Sequence, residues 1–337
     1  DMPLGPVGRM QSCLAAQALE DAGISTVFTS PLSRARETAA FFSAAPVVVP
    51  GLMEADMGLW DGLSFHTIRE KYPELYARRG ADMRVPIPGA EPPTAALARF
   101  EAAVRHCLSR SSGSIAIVAH AAVIKLLLAA MLNTALETGC EYHLPYCATV
   151  QLAYDGGFRL LGTSALPQPA LDHGVCLRLL RAAGTPAHVI AHCTAAADEA
   201  CRIAGALRKS GASIQAALAE NAAMLHDIAR ALPEHAMRGA DWLSELGYTR
   251  EADVVRRHHA LDADAGFEFI TVCLADALTL GAERVSLARR FLESRKKCRD
   301  AEALRAHGHR RREAFRAARR INDLCGREVI HLNGSLT

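Results

Sequence analysis

The sequence predicts two domains, an α/β domain with a mostly parallel sheet followed by an all-α domain, and three observations predict it. A chain of 337 residues exceeds what one ordinary hydrophobic core organises. Strand-like and helical apolar runs alternate up to about residue 163, whereas beyond residue 174 nearly every segment carries helical spacing alone. Between them, Thr163 to Asp172 holds two prolines and small residues without a periodic pattern, which reads as a joint. The expected boundaries are an α/β domain over 1–163, a linker over 164–172, a helical domain over 173–294 and a basic helical tail over 295–337.

In the first part, Thr26-Val27-Phe28, Val47-Val48-Val49 and Ile115 to Ala119 read as buried strands, separated by helices such as Arg9 to Ala22 and Arg34 to Ser43. Thr149 to Tyr154 reads as a last strand, closed by Asp155-Gly156-Gly157 with a return at Phe158 to Leu161. In the second part Ala, Leu, Arg and Glu dominate, and Gly184-Thr185-Pro186, Gly211 and Gly247 mark the turns.

Half of the residues are hydrophobic and 22% are charged, a balance that supports a buried interior and argues against extended disorder. A formal net charge of +2, from 38 basic and 36 acidic residues, gives no field that calls for nucleic acid or an anionic membrane surface. The basic excess is confined to Arg289 to Arg320, where aromatics are scarce, so a solvated helical face or frayed tail is expected there. Ten cysteines without a CxxC pair read as reduced thiols of a cytoplasmic protein. The longest apolar stretch, Ile115 to Leu132, contains His120 and Lys125 and turns from strand-like to helix-like, so it reads as a buried strand followed by a helix in preference to a membrane span. The chain opens at Asp1 without an initiating Met, as a piece of a longer polypeptide would.

The helical part carries a constellation of metal-ligating residue types. Asn221 to Arg230 is an apolar helix interrupted by His226 and Asp227. Burying an imidazole beside a carboxylate costs several kcal/mol unless they are paired or bound to a cation. Neighbouring helical residues point about 100° apart, so other helices must complete such a site. His192, at the head of a helical run, and Asp276, a lone carboxylate within an apolar stretch, are candidates, with His235 and His258 between them in order.

The order His192, then His226-Asp227, then Asp276, with the first histidine after Gly184-Thr185-Pro186, resembles the HD superfamily of metal-dependent phosphohydrolases. His235, Gly239, Ala240, Leu243 and the run Val255-Arg256-Arg257-His258 resemble more particularly its two-metal branch, which includes bacterial hydrolases of diadenosine tetraphosphate. The resemblance covers roughly 120 residues. It implies His192, His226, Asp227 and Asp276 as core metal ligands and His235 and His258 as ligands of a second ion, with His259 ambiguous with His258. It also implies Asp227 bridging the ions and Arg230 assisting the phosphate. A mixed imidazole and carboxylate set suits one or two divalent ions among Fe, Mn, Co, Ni and Zn better than calcium. Such ions lower the pKa of a bound water and neutralise phosphoryl oxygens.

The α/β part contains Thr29-Ser30-Pro31-Leu32-Ser33-Arg34 at a strand end, Leu52 to Gly62 with Glu54, and Ile117 to Lys125 with His120. Arg34 and His120 fall at strand-to-helix junctions, where open α/β sheets bind ligands and where backbone N–H groups receive phosphate. With Pro3-Leu4, Gly8, Gln11 and Pro88-Gly89-Ala90-Glu91, these segments resemble the histidine phosphatase (phosphoglycerate mutase-like) superfamily. The resemblance implies Arg34 and His120 as phosphate-binding residues and Glu54 as proton donor to the leaving group. Two features depart from it. The Arg-His-Gly motif that bears the nucleophile is absent, together with its strand, and Ala121-Ala122 stands where the family has two glycines. A phosphohistidine route needs that imidazole, so this domain is expected to be without phosphatase activity unless preceding residues supply it.

Together these readings predict a phosphohydrolase of small phosphorylated metabolites or nucleotides, active through the helical domain, with a second phosphate-binding or phosphatase domain. The alternatives are a regulatory or scaffolding protein that senses a phosphorylated ligand, and one section of a larger modular enzyme.

Overall fold

The computed structural model describes residues 1–82, 84–133 and 143–333, so the last four positions of the expected tail lie outside the described residues. It divides into two compact units, Asp1–Pro167 and Gln168–Thr337.

In the first unit, α1 (Pro6–Ala18) leads through a 3₁₀ turn to β1 (Ile24–Thr29), followed by α2 (Ser33–Ala39) and β2 (Val47–Val48). Pro6 at the first helical position starts α1 earlier than the expected Arg9, since its missing N–H has no partner to lose there. Two short helices, α3 (Phe65–Lys71) and α4 (Pro73–Ala81), precede α5 (Pro93–Ser109), β3 (Ser114–Val118) and α6 (Ala121–Met131). β1 runs parallel to β2 on one side and β3 on the other, giving the strand order β2-β1-β3. Phe28, Leu52, Phe100, Val104, Cys107, Val123 and Leu127 form the core beneath this sheet. β4 (Thr149–Tyr154) and β5 (Phe158–Ser164) pair antiparallel as a separate hairpin turned at Gly156, whose φ of 100° only glycine adopts freely.

The second unit holds α7 (His173–Ala183), α8 (Ala187–Lys209), α9 (Ala216–Leu225), α10 (His235–Glu245), α11 (Thr249–Arg257) and α12 (Phe267–Ala277). Asp172 caps α7 by accepting from the Val175 N–H, and Gly184 ends it at a left-handed φ of 80°. α8 and α12 pack against α9, as does α11, so the central α9 delivers its C-terminal end into the middle of the unit. One departure from the all-α expectation appears. A short hairpin of β6 (Thr279–Leu280) and β7 (Glu283–Arg284) interrupts the helices before α13 (Leu287–Arg295). The expected separate basic tail is corrected as well. α14 (Ala301–Cys325) buries Ala314, Ala317, Ala318 and Ile321 against Ile203, Leu207, Ile270 and Leu274, while Arg310, Arg311 and Arg312 face outward. Its arginines are the solvated face of an amphipathic helix that belongs to the core of the unit. Among the described residues, no helix is long and apolar enough to cross a membrane.

Candidate functional site

In the first unit, Ser30 and His120 follow the carboxyl ends of the adjacent parallel strands β1 and β3. The Ser30 N–H bonds the Val118 carbonyl at 3.0 Å, and the Ser30 Oγ lies 2.8 Å from His120 Nε2. Both residues are buried. Burial, and then the Arg34 charge, push the His120 imidazole down to about 4, so it is neutral at physiological pH. Arg34 sits in the first turn of α2, half exposed, with Asp1 Oδ1 3.9 Å from its guanidinium.

Glu54, which the resemblance implies as proton donor, is held at the start of α6. Its carboxylate accepts from the Ala122 and Val123 N–H groups, each at 3.2 Å, and from the Ala55 N–H at 3.0 Å. The first amides of α6 were expected to receive phosphate; here they hold the Glu54 carboxylate, the anion that the positive end of a helix attracts. Arg99, absent from the candidates, fixes this loop. It donates to the carbonyls of Gly51 at 2.8 Å and Met53 at 3.0 Å and pairs with Glu91 at 2.7 Å. The Arg99 hydrogen bond holds the Glu91 carboxyl below its usual range. Gly58 closes the arrangement at φ 52°, its Cα packed against the Pro88-Gly89-Ala90 backbone so closely that a Cβ would lie 2.4 Å from it.

In the second unit the structure brings His192, His226, Asp227, His235, His258 and Asp276 together. His226 and Asp227 do not lie inside a helix, as expected, but in the turn that follows the last residue of α9. His226 keeps helical dihedrals at the C-cap, φ −58° and ψ −33°, so the two neighbours approach the cluster from the flank of the helix end. His258 likewise follows the end of α11, and His235 opens α10.

His192 Nε2 lies 3.1 Å from Asp276 Oδ1, and His226 Nε2 lies 3.8 Å from the same oxygen. His226 Nε2 is 3.6 Å from Asp227 Oδ2, and His235 and His258 approach Asp227 Oδ1 at 3.1 and 3.9 Å. His259 Nε2 is 3.0 Å from His235 Nε2. Three sets of ligand atoms thereby converge: His192 with His226 and Asp276, His226 with Asp227 and His258, and His235 with His258 and His259.

Each of three imidazoles is anchored by its other nitrogen. The Nδ1 atoms of His192, His226 and His258 donate to the carbonyls of Gly281, Ala223 and Val255 at 2.9, 2.7 and 2.7 Å. A carbonyl only accepts, so Nδ1 carries a proton in each ring, and Nε2 is the atom left to face the cluster, as an N–H toward a carboxylate or, once deprotonated, as a lone pair toward a cation. Among the described residues, His226 Nε2, His258 Nε2 and Asp227 Oδ1 are buried and make no hydrogen bond, the last facing His235 across an ion-pair distance.

Electrostatics follow the same geometry. Burial opposes a proton on His226, but Cys193, Asp227 and Asp276 outweigh it and raise the group to about 10. Burial, followed by the His226 charge, pushes His258 down to about 3. Asp276 is held well below the carboxylate range, because its hydrogen bond to His192 and the charges of His226 and Arg290 overcome its burial. The carboxylates therefore create a demand for positive charge that the imidazoles answer unequally.

Two arginines border the cluster. Arg230 Nη1 lies 3.6 Å from Asp227 Oδ1 and 3.0 Å from His235 Nε2, and Arg290 Nη2, on α13, lies 3.5 Å from Asp276 Oδ1. Arg290 escaped sequence reasoning because it stands in a run of basic residues with nothing to single it out.

A model of the histidine phosphatase superfamily (branch 1) matches residues 1–164. The Bifunctional protein Rv2228c of Mycobacterium tuberculosis is 34% identical over 147 residues, which is 42% of this chain and 40% of that protein. The chain thus spans about two fifths of the length of the curated relatives it matches. Among solved structures, YhfR of Bacillus stearothermophilus is 25% identical, with 48% of this chain and 84% of that chain covered at a TM-score of 0.45. A mycobacterial glucosyl-3-phosphoglycerate phosphatase with inorganic phosphate is 24% identical over 48% and 86% of the two chains, at a TM-score of 0.43. The family match ends where the second unit has not yet begun. Residues 1–164 are a domain of the histidine phosphatase superfamily.

Proposed function

We propose that the chain is a phosphohydrolase of small phosphorylated metabolites or nucleotides, working through an HD-type metal centre in Gln168–Thr337. The observation that carries this reading is the convergence of anchored imidazoles and carboxylates on His226 Nε2, His258 Nε2 and Asp227 Oδ1, buried atoms that make no hydrogen bond among the described residues. Leaving buried polar atoms without hydrogen bonds costs on the order of 1–3 kcal/mol each, and cations bound among these side chains would satisfy them.

His192, His226, Asp227 and Asp276 would hold one ion, and His235 and His258, with His259 at hand, a second; Fe, Mn, Co, Ni and Zn all suit this donor set. When bound, such ions supply Lewis acidity and lower the pKa of water. The chain's own residues do the rest. Arg230 and Arg290 place guanidinium groups at two sides of the cluster, where they orient and neutralise phosphoryl oxygens. Asp227, facing three imidazoles and Arg230, is the residue on which the assembly converges.

The first unit is proposed to bind a phosphorylated ligand through Arg34 and His120, with Glu54, the proton donor that the resemblance implies, held as a carboxylate at the start of α6 unless a nucleophile and leaving group are supplied. Arg34 supplies the charge, and neutral His120, aligned by Ser30, supplies a hydrogen bond. No Arg-His-Gly sequence occurs in the chain, and none of the three can replace an imidazole nucleophile.

Elemental analysis of the purified chain, combined with phosphomonoester, phosphodiester and dinucleotide polyphosphate substrates, tests the proposal. Wild type is expected to carry a first-row metal and to turn over at least one substrate class, and Asp227→Ala to lose both. Metal content and turnover unchanged in Asp227→Ala, or a wild type that takes up no metal, would refute it.

A further inference from the structure

Glu199 is a buried carboxylate with no part in the cluster, and its side chain is only 5% exposed. It lies on α8 seven residues beyond His192, hence two turns further along the same face. Arg202, one turn away on the same helix, already neutralises it, through Nε at 2.9 Å and Nη2 at 2.5 Å. A second guanidinium nevertheless reaches it from elsewhere in the unit: Arg284 Nε, on β7, lies 3.1 Å from Glu199 Oε2.

The β6–β7 hairpin has two paired residues per strand, too few to fix its own position. Its turn residue Gly281, at φ 61°, presents the carbonyl that accepts from His192 Nδ1. The hairpin is thus fastened to α8 at two points two helical turns apart, by an ion pair at Arg284 and by a hydrogen bond at Gly281.

We propose that Glu199 and Arg284 are positioning residues for His192, clasping the hairpin to α8 so that the Gly281 carbonyl keeps the His192 Nε2 lone pair directed at the cation site. This rests on the reading of the cluster as a metal centre. A carbonyl that drifts from Nδ1 frees the imidazole to rotate and to change tautomer, and groups that orient a ligand in this way are worth about 10–100-fold in metal affinity.

The test is Co²⁺ binding to the metal-stripped full chain, followed by visible absorption and by competition with a chelator. Arg284→Ala and Glu199→Gln are each expected to weaken Co²⁺ binding by about 10–100-fold and to alter its absorption bands. Their combination is expected to be no worse than either alone, because both break the same clasp. Arg284→Lys, which keeps a cation within reach of Glu199, is expected to recover most of the affinity. Arg202→Ala removes the other guanidinium from the same carboxylate without touching the hairpin, and it is expected to stay within about twofold of wild type. Equal losses in Arg202→Ala and Arg284→Ala, or wild-type affinity in Arg284→Ala and Glu199→Gln, would overturn the clasp. Wild type that binds no Co²⁺, or binds it as well after His192→Ala, would instead overturn the metal reading beneath it.

Discussion

Stripping and restoring metal should change the stability of one unit and leave the other alone. Among the described residues, His226 Nε2 and His258 Nε2 are buried without a hydrogen bond, and at about 1–3 kcal/mol each they represent roughly 2–6 kcal/mol available to a ligand that satisfies them. Mass action sets what is seen: at a free concentration about 100 times Kd, a ligand specific for the folded state stabilises it by about 2.7 kcal/mol. In a unit the size of Gln168–Thr337, each kcal/mol moves Tm by about 2–4 °C, so the expected shift is roughly 5–11 °C.

Differential scanning calorimetry of the chelator-treated chain, before and after addition of Mn²⁺, Co²⁺ or Zn²⁺, measures this. Two transitions are expected, one per unit. The transition of the second unit is identified independently as the one that Ile321→Ala lowers, since Ile321 is fully buried in that core. Only this transition should rise with metal, and Asp276→Asn, which removes the charge shared by His192 and His226, should shrink the rise to under a third. The reasoning fails if none of the ions moves either transition, or if the shift persists undiminished in Asp276→Asn.

The remaining predictions concern particular residues. Ile321→Ala should cost about 2–5 kcal/mol in the second unit by urea titration, whereas Arg312→Ala, on the exposed face of the same helix, should stay within about 0.5 kcal/mol; a silent Ile321→Ala would mean that α14 is not part of the core. Gly58→Ala should cost on the order of 2–4 kcal/mol, because it combines a left-handed φ with a 2.4 Å approach to the Pro88–Ala90 backbone. Gly62→Ala, also left-handed but with open space around it, should cost only about 1 kcal/mol, and equal losses would remove the steric argument. His120 should titrate near 4 by NMR, against 6.5 unfolded. Between those values the unfolded state binds the extra proton, so stability present above pH 6.5 declines as pH falls, by on the order of 3 kcal/mol near pH 4. His120→Gln should flatten that decline, and a slope unchanged by the substitution would contradict it.

What the sequence disclosed of both sites was residue identity, and what it withheld was direction. His226, Asp227 and Asp276 were legible because ionisable side chains inside apolar runs demand an explanation. Arg34 and His120 were legible because the chain passes from strand to helix at each. Glu54 carried no pattern of its own and entered only through resemblance. Its grip on the first amides of α6 joins positions 68 and 69 residues apart and leaves no periodic trace. Arg99 on α5 and Arg290 on α13 look like any surface arginine until the carbonyls and carboxylates they meet are in place. The end of α9 at Leu225 was misread because Ile228 and Ala229 continue the apolar pattern; they are buried in the turn instead of along a helix.

Histidine shows why direction decides function here. In the second unit the Nδ1–H groups of His192, His226 and His258 are spent on carbonyls, so each ring turns only Nε2 toward the cluster, and carboxylates draw positive charge toward it. His120 meets a hydroxyl instead, which donates or accepts as required, and Arg34 beside it repels a second positive charge. The first arrangement suits rings that ligate a cation, and the second suits a neutral ring that shares a hydrogen bond with a bound anion. One residue type is therefore prepared for opposite proposed chemistries in the two units, and the difference lies in the atom opposite the nitrogen, which no motif records.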